Sequence, residues 1–367
     1  MPGNESGRTG PARLACGECG NTYDDRWRCE CGAPLDFAEA PLPDTPAPDA
    51  AELDARRGLW AFADFLPVER RVSLGEGFTP LVEAPEWDAQ FKLEYVFPTG
   101  SFKDRGATTT LSRAVELGVD TVVDDSSGNA GAAVATYAAR GGVDAEIYVP
   151  AAVKESKLRA IERAGATPVR VEGSRQAVTD ACVEAVTAGD AWYASHAWNP
   201  AFFAGTMTVA MEVAAQRDWE VPDAVVTPLG HGTLFLGAYR GFRALVEAGW
   251  TDRTPRLLGA QAAGYAPVAD GLHGETGGRN DVADGIQIRN PARERQILDA
   301  IEETGGDAIA LDADAVADEL DALHRRGFYT EPTSAVAPAA LRAYRERGVV
   351  DEGDDVVVAL TGSGLKT

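Results

Sequence analysis

Long apolar runs are missing from this 367-residue chain. No stretch reaches the roughly 18 apolar residues of a membrane span, so no transmembrane helix is expected. The start, Met1 to Gly10, is polar and offers no apolar signal segment, and a cytoplasmic protein is expected. Positive charge is scarce: 34 Lys and Arg stand against 57 Asp and Glu, a formal charge of −23. That sign argues against nonspecific binding to nucleic acid or to anionic membrane surfaces. Lysine is scarcest, with Lys92, Lys103, Lys154, Lys157 and Lys366 alone among 29 arginines. Two readings fit an acidic chain poor in lysine. One is adaptation to a very salty cytosol, where repulsion is screened within a few ångströms and carboxylates keep the surface hydrated. The other is a GC-rich genome that favours arginine; stability lost on dilution to low salt supports the first, full stability in dilute buffer the second. Internal repeats and long low-complexity tracts are also absent. What remains, 45% hydrophobic and 25% charged, is ordinary for a globular protein long enough for two α/β domains and a small module.

Four of the five cysteines fall together as Cys16-x2-Cys19 and Cys29-x-Cys31. Clustered cysteines in a chain without a secretion signal read as a metal site before a disulfide. Two short hairpins supply four thiolates in a tetrahedron, which suits structural Zn²⁺. The second pair is C-x-C rather than the commoner C-x-x-C, and redox or disulfide chemistry is the competing reading. The segment is poor in basic residues, so a structural or docking role is favoured over nucleic-acid binding. Cys182 lies in a helical pattern and reads as a small core residue. A ribbon over 12–37 is followed by a Pro- and Ala-rich connector over 38–51.

From about residue 120, strand and helix patterns alternate. Apolar runs at 121–124, 145–149, 167–171, 224–227, 256–260 and 356–360 are separated by helical segments such as 130–140, 154–164, 175–187 and 201–216. Such alternation implies parallel sheets covered on both faces, with ligands at the loops beyond the C-terminal strand ends. Three of those loops carry chemistry. Asp125-Ser126-Ser127-Gly128-Asn129-Ala130-Gly131 opens a helix and offers backbone N–H groups and an amide to a carboxylate or phosphate, or merely caps the helix. Pro228-Leu229-Gly230-His231-Gly232-Thr233 lacks the NTPase and dinucleotide signatures and suits a monophosphate, with His231 beside it or simply exposed. Thr361-Gly362-Ser363-Gly364 brings hydroxyls and glycines to a rim, or is a frayed tail. A fourth segment, Pro98-Thr99-Gly100-Ser101-Phe102-Lys103-Asp104-Arg105-Gly106, sets one of the few lysines before a helix from about Arg105 to Glu116. There an amine near other cations loses proton affinity and becomes nucleophilic.

These nine residues resemble the cofactor-lysine motif of threonine synthase and its fold-type II relatives, the pyridoxal-phosphate enzymes that include tryptophan synthase β and the serine/threonine dehydratases. Ser-Ser-Gly-Asn, Gly-His-Gly-Thr, Glu331-Pro332-Thr333-Ser334-Ala335 and Thr-Gly-Ser-Gly follow in matching order. Gly75-Glu76-Gly77-Phe78-Thr79-Pro80 and the cysteine ribbon resemble the archaeal threonine synthase type, in keeping with a haloarchaeal-type chain. The resemblance implies two open, twisted parallel-sheet α/β domains with pyridoxal 5'-phosphate in the cleft between them. The small domain spans 101–198, the large one 52–100 plus 199–367. It implies Lys103 as the cofactor's covalent anchor and mobile acid/base, and Asn129 at its ring oxygen. Gly230, His231, Gly232 and Thr233 fall at its phosphate, and Thr361 at its pyridine nitrogen. Ser126, Ser127, Gly128 and Asn129 fall at the carboxylate of an amino-acid substrate. Glu331 lies near the ring or caps the helix before Ser334. A homodimer is implied as well.

Departures point in a second direction. Ala130 and Gly131 stand where threonine synthases resemble Thr-Ser, and Phe202 stands where the family's Asn-Pro loop often has arginine. Arginine makes two strong bonds to phosphate and phenylalanine makes none. Threonine synthase, converting O-phosphohomoserine and water to threonine and phosphate, is the leading expectation. A threonine/serine ammonia-lyase or a β-replacement enzyme is the alternative.

Overall fold

A computed structural model describes residues 10–189 and 191–366. The polar start read above lies, for residues 1–9, outside the described residues, as do positions 190 and 367. The strands are β1 (Leu14–Ala15), β2 (Thr22–Tyr23), β3 (Asp36–Phe37), β4 (Leu81–Ala84), β5 (Ala89–Leu93), β6 (Thr121–Asp124), β7 (Asp144–Pro150), β8 (Thr167–Val171), β9 (Trp192–Tyr193), β10 (Ala224–Pro228), β11 (Arg256–Ala262), β12 (Asp307–Leu311) and β13 (Val356–Leu360). The helices are α1 (Lys103–Leu117), α2 (Asn129–Gly141), α3 (Glu155–Arg163), α4 (Arg175–Ala188), α5 (Pro200–Thr206), α6 (Thr208–Ala215), α7 (Thr233–Glu247), α8 (Pro267–His273), α9 (Glu294–Thr304), α10 (Ala313–Arg325) and α11 (Pro332–Glu346).

They form three sheets. A small antiparallel ribbon runs β2-β1-β3. A six-stranded sheet runs β12-β11-β10-β13-β5-β4, parallel except for edge strand β4. A four-stranded parallel sheet runs β8-β7-β6-β9. The α/β architecture is the expected one.

Strand register explains the two-sided burial. Val225 pairs with Leu257 and Val357, and all three face one core with Phe203, Leu234 and Phe242. Val226, one residue on, pairs with Leu258 and Val358, and these face the opposite core with Val336 and Ile309. A strand buried on both faces reads as a continuous apolar run, which is why β10 and β13 were legible. The smaller sheet repeats the scheme, with Val122 and Ile147 on one face and Val123 and Tyr148 on the other.

The structure differs from the sequence reading in places. Strands β4, β5, β9 and β12 were not anticipated. The helix expected over 201–216 is two helices that meet at Met207. Residues 38–49 hold neither strand nor helix.

Candidate active site

Lys103 is the first residue of α1, and its amine is set between Asp124, at the end of β6 in the four-stranded sheet, and Glu331, which is bonded to the rim beyond β13 of the six-stranded one. The preceding loop is laced to the C-terminal rim. Ser101 pairs with Gly362, Thr330 pairs with Ser363, and the Phe102 N–H donates to the Thr361 carbonyl at 3.1 Å. Lys103 Nζ lies 4.7 Å from the Phe102 ring centroid and 5.8 Å from that of Phe202. Burial draws its amine down to about 8, and the carboxyl groups of Asp124 and Glu331 oppose that fall. The sequence expectation was that nearby cations lower it. The charged neighbours are acids, and loss of water is the cause. Arg105, two residues on, is engaged in a buried ion cluster with Glu94 and Glu212.

The loop after β6 begins α2 and is part-exposed from Ser126 to Asn129. The Ser126 N–H donates to Asp124 Oδ2 at 3.1 Å, and the Gly128 N–H donates to Ser126 Oγ at 3.2 Å. Gly131 is required here, because a Cβ would collide with the Ser126 carbonyl oxygen. Asn129 Nδ2 donates to Glu331 Oε1 at 2.9 Å. The Glu331 side chain makes no capping bond to α11, although Glu331 is the N-cap residue. Its own N–H donates to the Gly362 carbonyl at 2.9 Å.

The loop after β10 sets Gly230, His231, Gly232 and Thr233 at the start of the 15-residue helix α7. Thr361, buried at the end of β13, has its N–H bonded to Ser334 Oγ at 3.0 Å, and the two hydroxyls lie 3.3 Å apart. Lys103, Asn129, Glu331 and Thr361 therefore converge on one cleft from four distant stretches of chain.

Three residues at this cleft were missed from sequence. Ser334 fixes Thr361. Asp124 ends β6 fully buried, its Oδ1 without a partner, while the neighbouring Asp125 is held by Thr179 Oγ1 at 2.6 Å and Tyr193 Oη at 3.0 Å. Burial, then the charge of Asp125, pushes the Asp124 carboxyl up to about 8. His196 follows β9, with its Nδ1 3.8 Å from Asp124 Oδ1 and its ring 5.3 Å edge-on from His231. The available signal was an acid closing an otherwise apolar strand, Thr-Val-Val-Asp.

At the N-terminus the Sγ atoms of Cys16, Cys19, Cys29 and Cys31 lie within 4.8 Å of one another. The pairs Cys16–Cys31 at 3.6 Å and Cys19–Cys29 at 3.5 Å are far longer than a disulfide. They approach the roughly 3.8 Å edge of a tetrahedron with metal–sulfur bonds of about 2.3 Å. The four residues can therefore hold a metal ion. Cys182 is buried in α4 against Val178 and Tyr193.

The chain resembles known proteins along most of its length. It is 32% identical to the threonine synthase of Methanocaldococcus jannaschii, covering 96% of this chain and 92% of that one. It is 34% identical to the threonine synthase of Methanosarcina acetivorans, covering 84% and 80%. In fold it is similar to threonine deaminase isoform 2 from Solanum lycopersicum, with a TM-score of 0.68 at 20% identity over 90% of this chain and 92% of that one. Residues 72–362 match the pyridoxal-phosphate-dependent enzymes, and the chain belongs to that family.

Proposed function

We propose that this enzyme is a threonine synthase, releasing phosphate from O-phosphohomoserine and adding water at the β-carbon. The observation that carries this is a buried lysine, Lys103, near the loops after β6 and β13, in a chain similar to the Methanocaldococcus jannaschii threonine synthase over 96% of its length. The cleft suits the family's cofactor. His196 Nδ1 and His231 Nδ1 are buried without hydrogen-bond partners among the described residues, a demand that an anionic, hydrogen-bonding group meets. The cofactor supplies an electron sink for negative charge at the substrate's α-carbon.

The residues divide the remaining work. Lys103 Nζ, with its amine at about 8, takes and returns protons at substrate carbons near neutral pH. Ser126, Ser127 and Gly128 bind the substrate carboxylate at the start of α2. Asn129, steadied by Glu331, meets the cofactor's ring oxygen. Gly230, His231, Gly232 and Thr233 hold its phosphate at the positive end of α7. The Thr361 hydroxyl, fixed by Ser334, faces the pyridine nitrogen without forcing a proton on it, which favours elimination and replacement over transamination. Zinc on Cys16, Cys19, Cys29 and Cys31 belongs to the same proposal, as does a cytoplasmic homodimer, which sedimentation checks.

One observation favours a second reading, an ammonia-lyase for threonine or serine or a β-replacement enzyme. Phe202 is fully buried, packed against Gly106, and offers nothing to a substrate phosphate. Assays of the cofactor-loaded chain decide. Phosphate release and threonine formation from O-phosphohomoserine are expected, with a loss of roughly a thousandfold in Lys103→Ala. 2-Oxobutanoate from threonine, with no phosphate released, would establish the second reading.

A further inference from the structure

His196 belongs to none of the glycine-rich loops, yet it lines the same cleft. It is 7% exposed, and its Nδ1 has no hydrogen-bond partner among the described residues. The groups that face it are Asp124, Asp125, Lys103, Arg175 and His231. Of these, Asp124 Oδ1 and His231 Nδ1 also lack partners. Asp125 is by contrast satisfied by Arg175, Thr179 and Tyr193. Three of the unpartnered atoms therefore cluster around His196, near Lys103. The backbone ties them to the loop before α7, since Thr233 Oγ1 donates to the His196 carbonyl at 3.4 Å. Buried polar groups in stable folds are paired, and a cluster left open beside a helix N-terminus is built for an anion. Burial and the nearby Lys103 amine hold the His196 imidazole well below its usual range, so it stays neutral until an anion arrives.

We infer that His196, oriented by Asp124, is a further ligand of the cofactor's phosphate, closing the site beside the Gly230–Thr233 loop. The inference rests on the family's cofactor and not on which amino acid is the substrate. Neutral His196 would donate its Nε2–H to a phosphate oxygen. With Asp124 Oδ1 and His196 Nδ1 drawn together from 3.8 Å, the Asp124 proton would pass to Nδ1: the O–H bond would break, the N–H bond would form, and an imidazolium would lie between carboxylate and phosphate. No proton is drawn from solvent.

The test compares two ligands that differ only in the phosphate. The full-length chain is titrated with pyridoxal 5'-phosphate and with pyridoxal, followed by tryptophan fluorescence and visible absorbance, and the ratio of the two affinities is read. In His196→Gln the phosphate ester weakens by roughly 10- to 100-fold, the range for a charge-assisted hydrogen bond, while pyridoxal changes by less than about twofold. Asp124→Asn shifts the ratio the same way by about three- to tenfold, since it keeps the shape but cannot supply the proton. Parallel losses for both ligands, or none for either, would overturn the inference. If His196→Gln does not fold, the ratio in Asp124→Asn decides alone. Neither outcome depends on the substrate, so failure of the threonine synthase assignment leaves this test intact.

Discussion

At the scale of single residues, the unusual group is an amine kept near neutrality by water exclusion. Lys103 sits beside two aromatic rings, and burial lowers its amine to about 8 against the resistance of Asp124 and Glu331. The free base is the nucleophile, so its fraction falls tenfold for each pH unit below about 8 and changes little above it. Stopped-flow measurement of cofactor attachment should give a rate that climbs to pH 8 and then levels. A rate still climbing toward pH 10 would show a solvated lysine instead. Removing the opposing carboxylate in Glu331→Gln moves the plateau to lower pH. Lys103, Asn129 and Thr361 were legible because glycines and hydroxyls crowd around them in sequence. Asp124 and His196 were not, because each closes or follows a short strand and gains its meaning only where β6 and β9 lie side by side.

At the scale of elements, the first turn of α1 is bolted from behind. Arg105, two residues after Lys103, gives Nε and Nη2 to Glu94 at 2.6 and 2.7 Å and Nη1 and Nη2 to Glu212 at 2.6 and 2.7 Å. Lys92 Nζ reaches Glu212 at 2.8 Å and the Thr79 carbonyl at 2.7 Å. Two cations and two carboxylates, all fully buried, thus join β5, α1 and α6. Burial pushes Glu212 up, but Arg105 and Lys92 outweigh it and hold the carboxyl at about 2. A carboxyl lowered on folding stabilises above its unfolded value, near 4.5, and loses that stabilisation as pH falls toward 2. Glu212→Gln leaves two buried cations short of a charge, and about 3–5 kcal/mol of stability should be lost at pH 7. Denaturant titrations at pH 7, 4 and 3 should show the wild type losing stability through this window and the variant losing less. Equal slopes would deny Glu212 the role. This cluster also explains why β5 was unreadable from sequence. Ala-Gln-Phe-Lys-Leu places a lysine mid-strand, and its partner lies 120 residues on. For β9, two residues give no periodicity at all. The apolar strands β10 and β13 needed no distant partner to be recognised.

At the scale of the molecule, the cysteine ribbon spans the crossing from the four-stranded sheet to the six-stranded one. Its own core is Leu14, Cys16, Cys29 and Leu35 with Tyr23, Ala33 and Phe37 half-buried against them, too little to fold unaided. Two fully buried arginines from different bodies grip its backbone. Arg113 of α1 donates to the carbonyls of Ala12 at 2.9 Å and Asp24 at 3.1 Å. Arg293, just before α9, donates to Leu35 at 2.7 Å and to Trp198 at 2.9 Å, so one guanidinium joins ribbon and crossing segment. Trp27 meets Trp198 and Tyr193 edge-on at 5.4 and 5.5 Å, and Tyr193 in turn holds Asp125 in the loop before α2. A metal that orders the ribbon therefore sets how firmly the two sheets are held about the cleft. Chelation, or Cys16→Ser, should release one zinc per chain and strand Arg113 and Arg293 as buried charges at a cost of about 3–5 kcal/mol. That loss should appear as a fall of several degrees in Tm and as new protease cleavage near 38–51. The same treatment should raise KM for the amino-acid substrate more than it lowers kcat, because Lys103 and α1 remain bolted by Glu94 and Glu212 while the Asp125 loop loosens. Unchanged Tm and KM after complete metal removal would make the ribbon a passenger, and its two buried arginines would then need another explanation.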